Sequence, residues 1–330
     1  MRPLLPLLLL LASPLPAADF VKGADVSWLP QMEAGGLTFR DAAGESQDCL
    51  LTLRDFGLNT VRLRVFVAPS GDPVNGHCSP EETVALAVRA KKLGYHLMID
   101  FHYSDTWADP KNQSKPSAWA ELDLAGLKQA VYDHTRAVLL ALEKADARPE
   151  WVQVGNEIPS GLLWPDGHTD HPANLAQLIN AGYDAVKSVD PGIQVIVHLH
   201  NGHDHGLYRW FFDQLNAHGG RYDIIGLSYY PFWTEKDYTA TIDALGRNLN
   251  DLVARYGKPV MVVEVGGRDD QPENTREMIG AVLEKVRQVP ENRGLGVLYW
   301  EPQGAFSWSK YGLSAWGNDG RPTSALEGFR

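Results

Sequence analysis

Eight short β-rich runs recur along the chain, and they constrain the fold more than any other feature. They occupy 21–28, 59–67, 95–103, 151–158, 193–200, 223–230, 259–266 and 294–301. Helix-like segments lie between them. "SPEETVALAVRAKKLG" opens with Ser-Pro, carries acids in its first turn and bases in its last, and closes on Gly. "LDLAGLKQAVYDHTRAVLLALEKA", "ANLAQLINAGYDAVKSV", "ATIDALGRNLNDLVARYG" and "TREMIGAVLEKVRQV" place apolar residues at helical spacing. Strand alternating with helix predicts a parallel sheet, and eight such units predict a closed (β/α)8 barrel. No linker, low-complexity tract or short repeat interrupts the pattern, so one domain is expected over 19–330.

The first 18 residues read differently. One basic residue, Arg2, precedes a Leu-rich stretch and then small residues, the pattern of a secretory signal peptide. The stretch is too short and too Pro-broken for a membrane span. Export to the periplasm or the extracellular space is expected, with no membrane insertion after removal of residues 1–18 and a monomer as product. In an exported chain the two cysteines can pair, so a Cys49–Cys78 disulfide is expected, with two free thiols as the alternative. The net charge of −11 argues against nucleic acid and anionic membranes as partners. Ten Trp and twelve Tyr offer flat faces suited to sugar rings or apolar ligands.

Polar and aromatic residues gather at one end of every run. The second run carries Arg62 and Arg64, the third ends on Asp100, His102 and Tyr103, and the fourth ends on Asn156 and Glu157. The sixth ends on Tyr229 and Tyr230, the seventh near Glu264, and the eighth on Trp300 and Glu301. In a barrel these ends share the face that carries chemistry. Glu157 and Glu264 would then face each other across the mouth. Two carboxylates flanking one bond are what glycoside hydrolysis requires, one as acid and the other as nucleophile or base. Arg62 or Arg64 could keep Glu264 ionised, and Tyr229 or Tyr230 could donate to it. Alternation on a strand is expected to turn one of Tyr229 and Tyr230, and one of Arg62 and Arg64, inward and the other outward. Asn156 suits a sugar 2-hydroxyl, and Trp300 could floor the site. Trp107, Trp119, Trp164, Phe232 and Trp233 are candidate stacking platforms, whereas Asp105, Asp109 and His102 offer hydrogen bonds to hydroxyls. Arg64, Asp100, His198 and Tyr229 join these as substrate-binding candidates.

Seven stretches resemble glycoside hydrolase family 53: "KGADVSW", "GLNTVRLRVFVAP", "DFHYSDTWADPKNQSKPSAW", "VQVGNEIPSGLLWPDG", "DIIGLSYYPFW", "YGKPVMVVEV" and "LYWEP". The resemblance implies a (β/α)8 retaining endo-β-1,4-galactanase. Glu157 then matches the acid/base, Glu264 matches the nucleophile, and galactan or galacto-oligosaccharides are the partners. No cofactor is implied for catalysis. A structural calcium, as in some bacterial members, could use Asp269, Asp270 and Glu273. One departure stands out. Where the family pattern continues from the nucleophile with Thr-Ala and an aromatic residue, this chain has Val265-Gly266-Gly267.

Rival readings are a histidine-bound catalytic metal at "HLHNGHDH", a sugar-binding barrel without catalysis, and a retaining endo-glycanase acting on mannan or glucan. The histidine stretch contains His198, His200, His203 and His205, but it lacks the partner ligands such a centre needs. His198 or His200 is better read as lining a sugar cleft.

Overall fold

A computed structural model describes residues 20–330. The expected signal peptide, residues 1–18, lies outside the described residues. Eight parallel strands close into a barrel: β1 (Val21–Asp25), β2 (Thr60–Val65), β3 (His96–Phe101), β4 (Trp151–Val154), β5 (Gln194–Leu199), β6 (Ile224–Tyr229), β7 (Val260–Val265) and β8 (Gly294–Trp300). Each pairs with its neighbours in sequence, and β8 closes onto β1 with Asp25 opposite Trp300. The expected (β/α)8 class is therefore the observed one.

Among the described residues, besides a short helix at Leu29–Ala34, seven longer ones cover the outside: α1 (Cys49–Asp55), α2 (Pro80–Lys92), α3 (Leu124–Lys144), α4 (Pro172–Val189), α5 (His205–Ala217), α6 (Ile242–Tyr256) and α7 (Pro272–Arg287). The local signals act as expected. Ser79 and Glu82 form a reciprocal capping box at α2, and Gly257 ends α6 in a left-handed conformation at φ 63. Two helices, α1 and α5, lie outside the segments whose spacing predicts a helix. After β8 the chain forms only a short helix, Phe306–Ser309, and a final 3-10 turn, Ser324–Phe329, whose Leu326 and Phe329 are buried.

The strands end one to four residues before the apolar runs do. At those points the backbone turns out of the sheet, with positive φ at Tyr103 (50), Gly155 (83), Glu157 (42) and Glu301 (49). The non-glycine members adopt a region that L-residues seldom visit, and such residues concentrate at functional sites.

Alternation divides the barrel wall into two apolar layers. Outward residues such as Val61, Leu63, Ile99, Val152, Val197 and Leu227 pack under the helices. Inward ones, Val21, Met98, Trp151, Ile196, Ile224, Met261, Val263 and Leu298, form a separate cluster that plugs the bottom of the barrel. The mouth is left for polar side chains.

The cysteine expectation is corrected: Cys49 and Cys78 are both free and buried. Cys49 opens α1 within the outer core, whereas Cys78 sits at the mouth with its thiol 3.8 Å from the Ser27 carbonyl. They belong to different layers, so their order along the chain gave no contact.

His134 on α3 packs edge-on against Phe101, its ring centroid 5.6 Å away, and its Nε2 has no hydrogen-bond partner among the described residues. Burial lowers its pKa to about 4. The folded state therefore binds fewer protons than the unfolded one between about pH 4 and 6.5. Stability from this group is complete above pH 6.5 and is lost as pH falls toward 4, by on the order of 3 kcal/mol at most. His134→Phe should flatten that part of a melting-temperature profile. An unchanged acid slope would contradict this assignment.

Candidate active site

Counting inward by twos from the apolar plug leads to the polar mouth. Val21 leads through Gly23 to Asp25, and Met98 to Asp100 and His102. Trp151 leads to Gln153, Ile196 to His198, and Ile224 through Gly226 to Ser228 and then Tyr230. On β2 the expectation of one inward and one outward arginine is corrected: Arg62 and Arg64 both face in, because they stand two apart. Strict alternation would turn Glu264 outward, since Met261 and Val263 both face in. A bulge corrects this: the register passes from Leu227 opposite Val262 to Ser228 opposite Glu264. The extra residue re-aims the Glu264 carboxylate into the mouth.

Arg62 is the hub. It is fully buried, with Nη1 2.8 Å from Asp25 Oδ2, and Nη2 2.9 Å from both Asp100 Oδ2 and Asn156 Oδ1. Nη2 also lies 2.8 Å from Glu264 Oε1, a charge contact without hydrogen-bond alignment. Burial opposes the guanidinium charge, but Asp100, Glu264 and Asp25 outweigh it and hold it protonated. Each anchor is held in turn. Ser27 donates to Asp25 from its hydroxyl at 2.6 Å and its amide at 3.0 Å. His102 Nδ1 accepts the Ala108 amide at 3.0 Å, which places its proton on Nε2, 2.9 Å from Asp100 Oδ2.

The two glutamates receive different support. Tyr230 donates to Glu264 Oε2 at 3.0 Å. Glu157 ends a directed chain of donors. Gln153 Nε2 and the Glu157 amide both point at His198 Nδ1, at 2.8 and 3.3 Å; these two donors outweigh the Asn156 Oδ1 acceptor at 3.1 Å and place the imidazole proton on Nε2. Nε2 then donates to Ser228 Oγ at 2.7 Å, and the Ser228 hydroxyl donates to Glu157 Oε1 at 2.5 Å. Burial and the Arg62 charge push the His198 pKa well down, which keeps the ring neutral.

Burial raises the Glu157 pKa to about 7 against the opposing pull of Ser228 and Arg62. Glu264 is also raised by burial, with Arg62 pulling it down and Glu157 pushing it up. The pair therefore titrates as a unit. Arg62, in direct contact at 2.8 Å, and Tyr230 favour charge on Glu264, as Ser228 and Arg62 do on Glu157.

The structure redistributes several sequence candidates. Tyr229 is corrected: it points outward, bonding Thr241 Oγ1 at 2.8 Å and the Tyr238 carbonyl at 3.1 Å, and Tyr230 takes the inward place. Arg64 is inward but pairs with Glu301, with its guanidinium 4.4 Å from the Trp107 ring centroid. Asp100 and His198 are fully buried and serve the network instead of the cleft. Asp105 spends both carboxylate oxygens on loop amides, those of Ala68 at 3.0 Å and Ser117 at 2.8 Å. Trp119 is core. Trp107 and Trp300 stand with Trp28 and Tyr311 as an aromatic wall, Trp28 and Trp300 centroids being 5.1 Å apart. Trp164 is half-buried, with its indole nitrogen on the Ser160 carbonyl. Asn156 keeps one amide hydrogen beyond the one given to the Ala108 carbonyl.

The calcium candidates do not converge. Asp270 is held bidentately by Arg268 at 2.8 and 2.6 Å, and Glu273 pairs with Arg276 at 3.0 Å. Among the described residues no group of three or more His, Cys, Asp or Glu is placed to hold a metal. His205 pairs with Asp251 instead of its sequence neighbours.

Asp25, Gln153, Ser228 and Gln113 join the site; each lies within a stretch that carries the family resemblance, but none was among the sequence candidates. The Gln113 amide donates to the Asn156 and Glu157 carbonyls at 2.9 and 3.2 Å and fixes the turn that presents the Glu157 side chain. For the first three, alternation from the inward apolar residues was the available signal.

An eight-stranded barrel with one carboxylate just after β4 and another on β7, both at the mouth, has the architecture of a glycoside hydrolase. Residues 21–326 match glycosyl hydrolase family 53, and the chain belongs to that family. It is 40% identical to an uncharacterized Niallia circulans protein from the bgaB 5′ region, over 91% of this chain and 88% of that one. It is 36% identical to a probable arabinogalactan endo-β-1,4-galactanase A of Aspergillus terreus, over 89% and 87%. A structure from work on two fungal β-1,4-galactanases superposes with a TM-score of 0.85 at 32% identity, over 94% and 98%.

Tyr230→Phe removes the donor to Glu264 and should lower kcat by roughly tenfold to a hundredfold with little change in Tm, since a hydrogen bond to a charged group contributes about 1.5–3 kcal/mol. Tyr229→Phe should show the reverse, a lowered Tm with kcat retained. Equal kcat losses in both variants would contradict the inward and outward assignment.

Proposed function

We propose that this chain hydrolyses internal β-1,4-galactosidic bonds of galactan or galacto-oligosaccharides with retention, using its own side chains and no cofactor. The observation that carries the reading is the unequal support of two opposed carboxylates: Arg62 and Tyr230 on Glu264, and the His198–Ser228 chain on Glu157. Glu264 is the nucleophile. It attacks the anomeric carbon while Glu157 gives its proton to the departing glycosidic oxygen. Glu157, now ionised and held by Ser228, takes a proton from water as that water displaces Glu264. The spare Asn156 amide hydrogen is available to the 2-hydroxyl at the transition state, and Trp300 lies beneath the reacting sugar. The galactanase names of the relatives support the substrate. The leader-like residues 1–18 support export, and among the described residues no helix is long and apolar enough to cross a membrane.

Comparing hydrolysis of galactan, mannan and cellulosic substrates tests the substrate. Cleavage of mannan or glucan without galactan would overturn it. Glu157→Ala should lose about 10²–10⁴-fold in rate, the range for a general acid–base group, and Glu264→Ala at least as much. Azide rescue separates the roles: Glu264→Ala should yield α-galactosyl azide and Glu157→Ala the β-anomer. Swapped anomers would refute the assignment.

Activity should fall as pH rises through the Glu157 pKa of about 7, because the acid must be protonated to start the reaction. Ser228→Ala removes a donor to the ionised form, so the basic limb of kcat/KM should move up by about 0.5–1 pH unit, the equivalent of one hydrogen bond. A basic limb that stays put would show that Ser228 does not tune Glu157.

A further inference from the structure

Beside the catalytic pair, but not containing it, lies a cavity of about 620 Å³, within the ~300–1,000 Å³ typical of small-ligand sites. One wall is the 3-10 turn Pro231–Thr234, which follows Tyr230 directly. The other is the segment after β7, Gly266 to Arg268, and the start of α7. Both glycines are packed flush. A Cβ on Gly266 would lie 2.8 Å from Tyr230 Cε1, and one on Gly267 would lie 2.3 Å from Thr275 Oγ1. The Val265-Gly266-Gly267 departure therefore has a structural consequence: without side chains the backbone packs directly against Tyr230 and Thr275, and the cavity lies alongside.

The lining has the chemistry of a sugar site. Phe232 and Trp233 are 37% and 63% exposed, with rings edge to face at 4.8 Å, and they present uncovered aromatic surface. Gln271 and Asn274 supply amides. The charges nearly cancel and leave a slight acidic excess. Arg268 is neutralised by Asp270, and Lys236 shares the cavity with Glu235 and Asp237. A ligand without charge fits this balance better than an acidic sugar. Position narrows the ligand further: Gly266 stands two residues beyond Glu264 and touches the tyrosine that holds it.

We propose that this cavity is a lateral subsite for a neutral sugar branch carried on the main chain, so that cleavage tolerates substitution near the scissile bond. The inference rests on the galactanase reading above. The test compares kcat/KM on linear β-1,4-galactan and on the same galactan carrying arabinosyl branches, using the full chain. Wild type should cleave both. Trp233→Ala, which removes a stacking face, and Asn274→Trp, which fills the cavity, should each lower the branched-to-linear ratio about fivefold or more. A thermal melt serves as the folding control for each variant, and Trp233→Ala alters a largely exposed side chain. A ratio unchanged in both variants would overturn the subsite, as would a wild type that cleaves only the linear polymer, and the functional reading would survive either result. A wild type that cleaves neither polymer would remove both.

Discussion

The contact between Arg62 and Glu264 is the interaction on which the rest of the site depends. A guanidinium with no exposed surface is costly to bury, and removing one partner from such a group leaves charges uncompensated, at about 3–5 kcal/mol. Here the cost is met by three carboxylates and an asparagine. Three of these anchors are fixed by further bonds: Asp25 by Ser27, Asp100 by His102 and Gln153, and Asn156 by the Ala108 carbonyl. The result is an arginine that cannot move away from Glu264. In the proposed mechanism that carboxylate is the charged one and the shared proton is left to Glu157, whose side chain is met by the Ser228 hydroxyl. The asymmetry that glycoside hydrolysis needs thus comes from partners, since both carboxylates experience burial.

The barrel makes this arrangement possible by separating its interior into layers. An apolar plug closes the bottom, and the charged residues occupy the mouth directly above it. Two local departures from regular structure complete the aim. The β7 bulge turns Glu264 inward, and the left-handed backbone at Gly155 and Glu157 lifts the acid off the end of β4. Gln113 holds that turn from below through two carbonyls.

Much of this was legible in the sequence. The eight runs and the Ser79–Glu82 and Gly257 helix-end signals depend on local chemistry, and they appear where local chemistry puts them. Glu157 and Glu264 were legible because a carboxylate that closes a buried apolar run is costly unless the strand serves to aim it. The partners were harder. Counting by twos from Ile224 selects Tyr230 over Tyr229. The same count on β3, β5 and β6 makes Asp100, His198 and Ser228 interior groups, so Asp100 and His198 support the network and do not bind hydroxyls. No count predicts the bulge that brings in Glu264, since it inserts a residue into the period. Asp105 and the Cys49–Cys78 pair failed for another reason. Their contacts are set by loops whose paths depend on the whole barrel. The glycines after Glu264 read as lost side chains in sequence, yet in the structure they are close contacts with Tyr230 and Thr275.

The central claim is that a proton shared by the two glutamates resides on Glu157 while Glu264 is ionised. Neutron diffraction from a deuterium-exchanged crystal near pH 6 would observe it directly. The account predicts deuterium on a Glu157 carboxyl oxygen, on the Ser228 hydroxyl and on His198 Nε2, with none on Glu264. Deuterium on Glu264 with a bare Glu157 would contradict it.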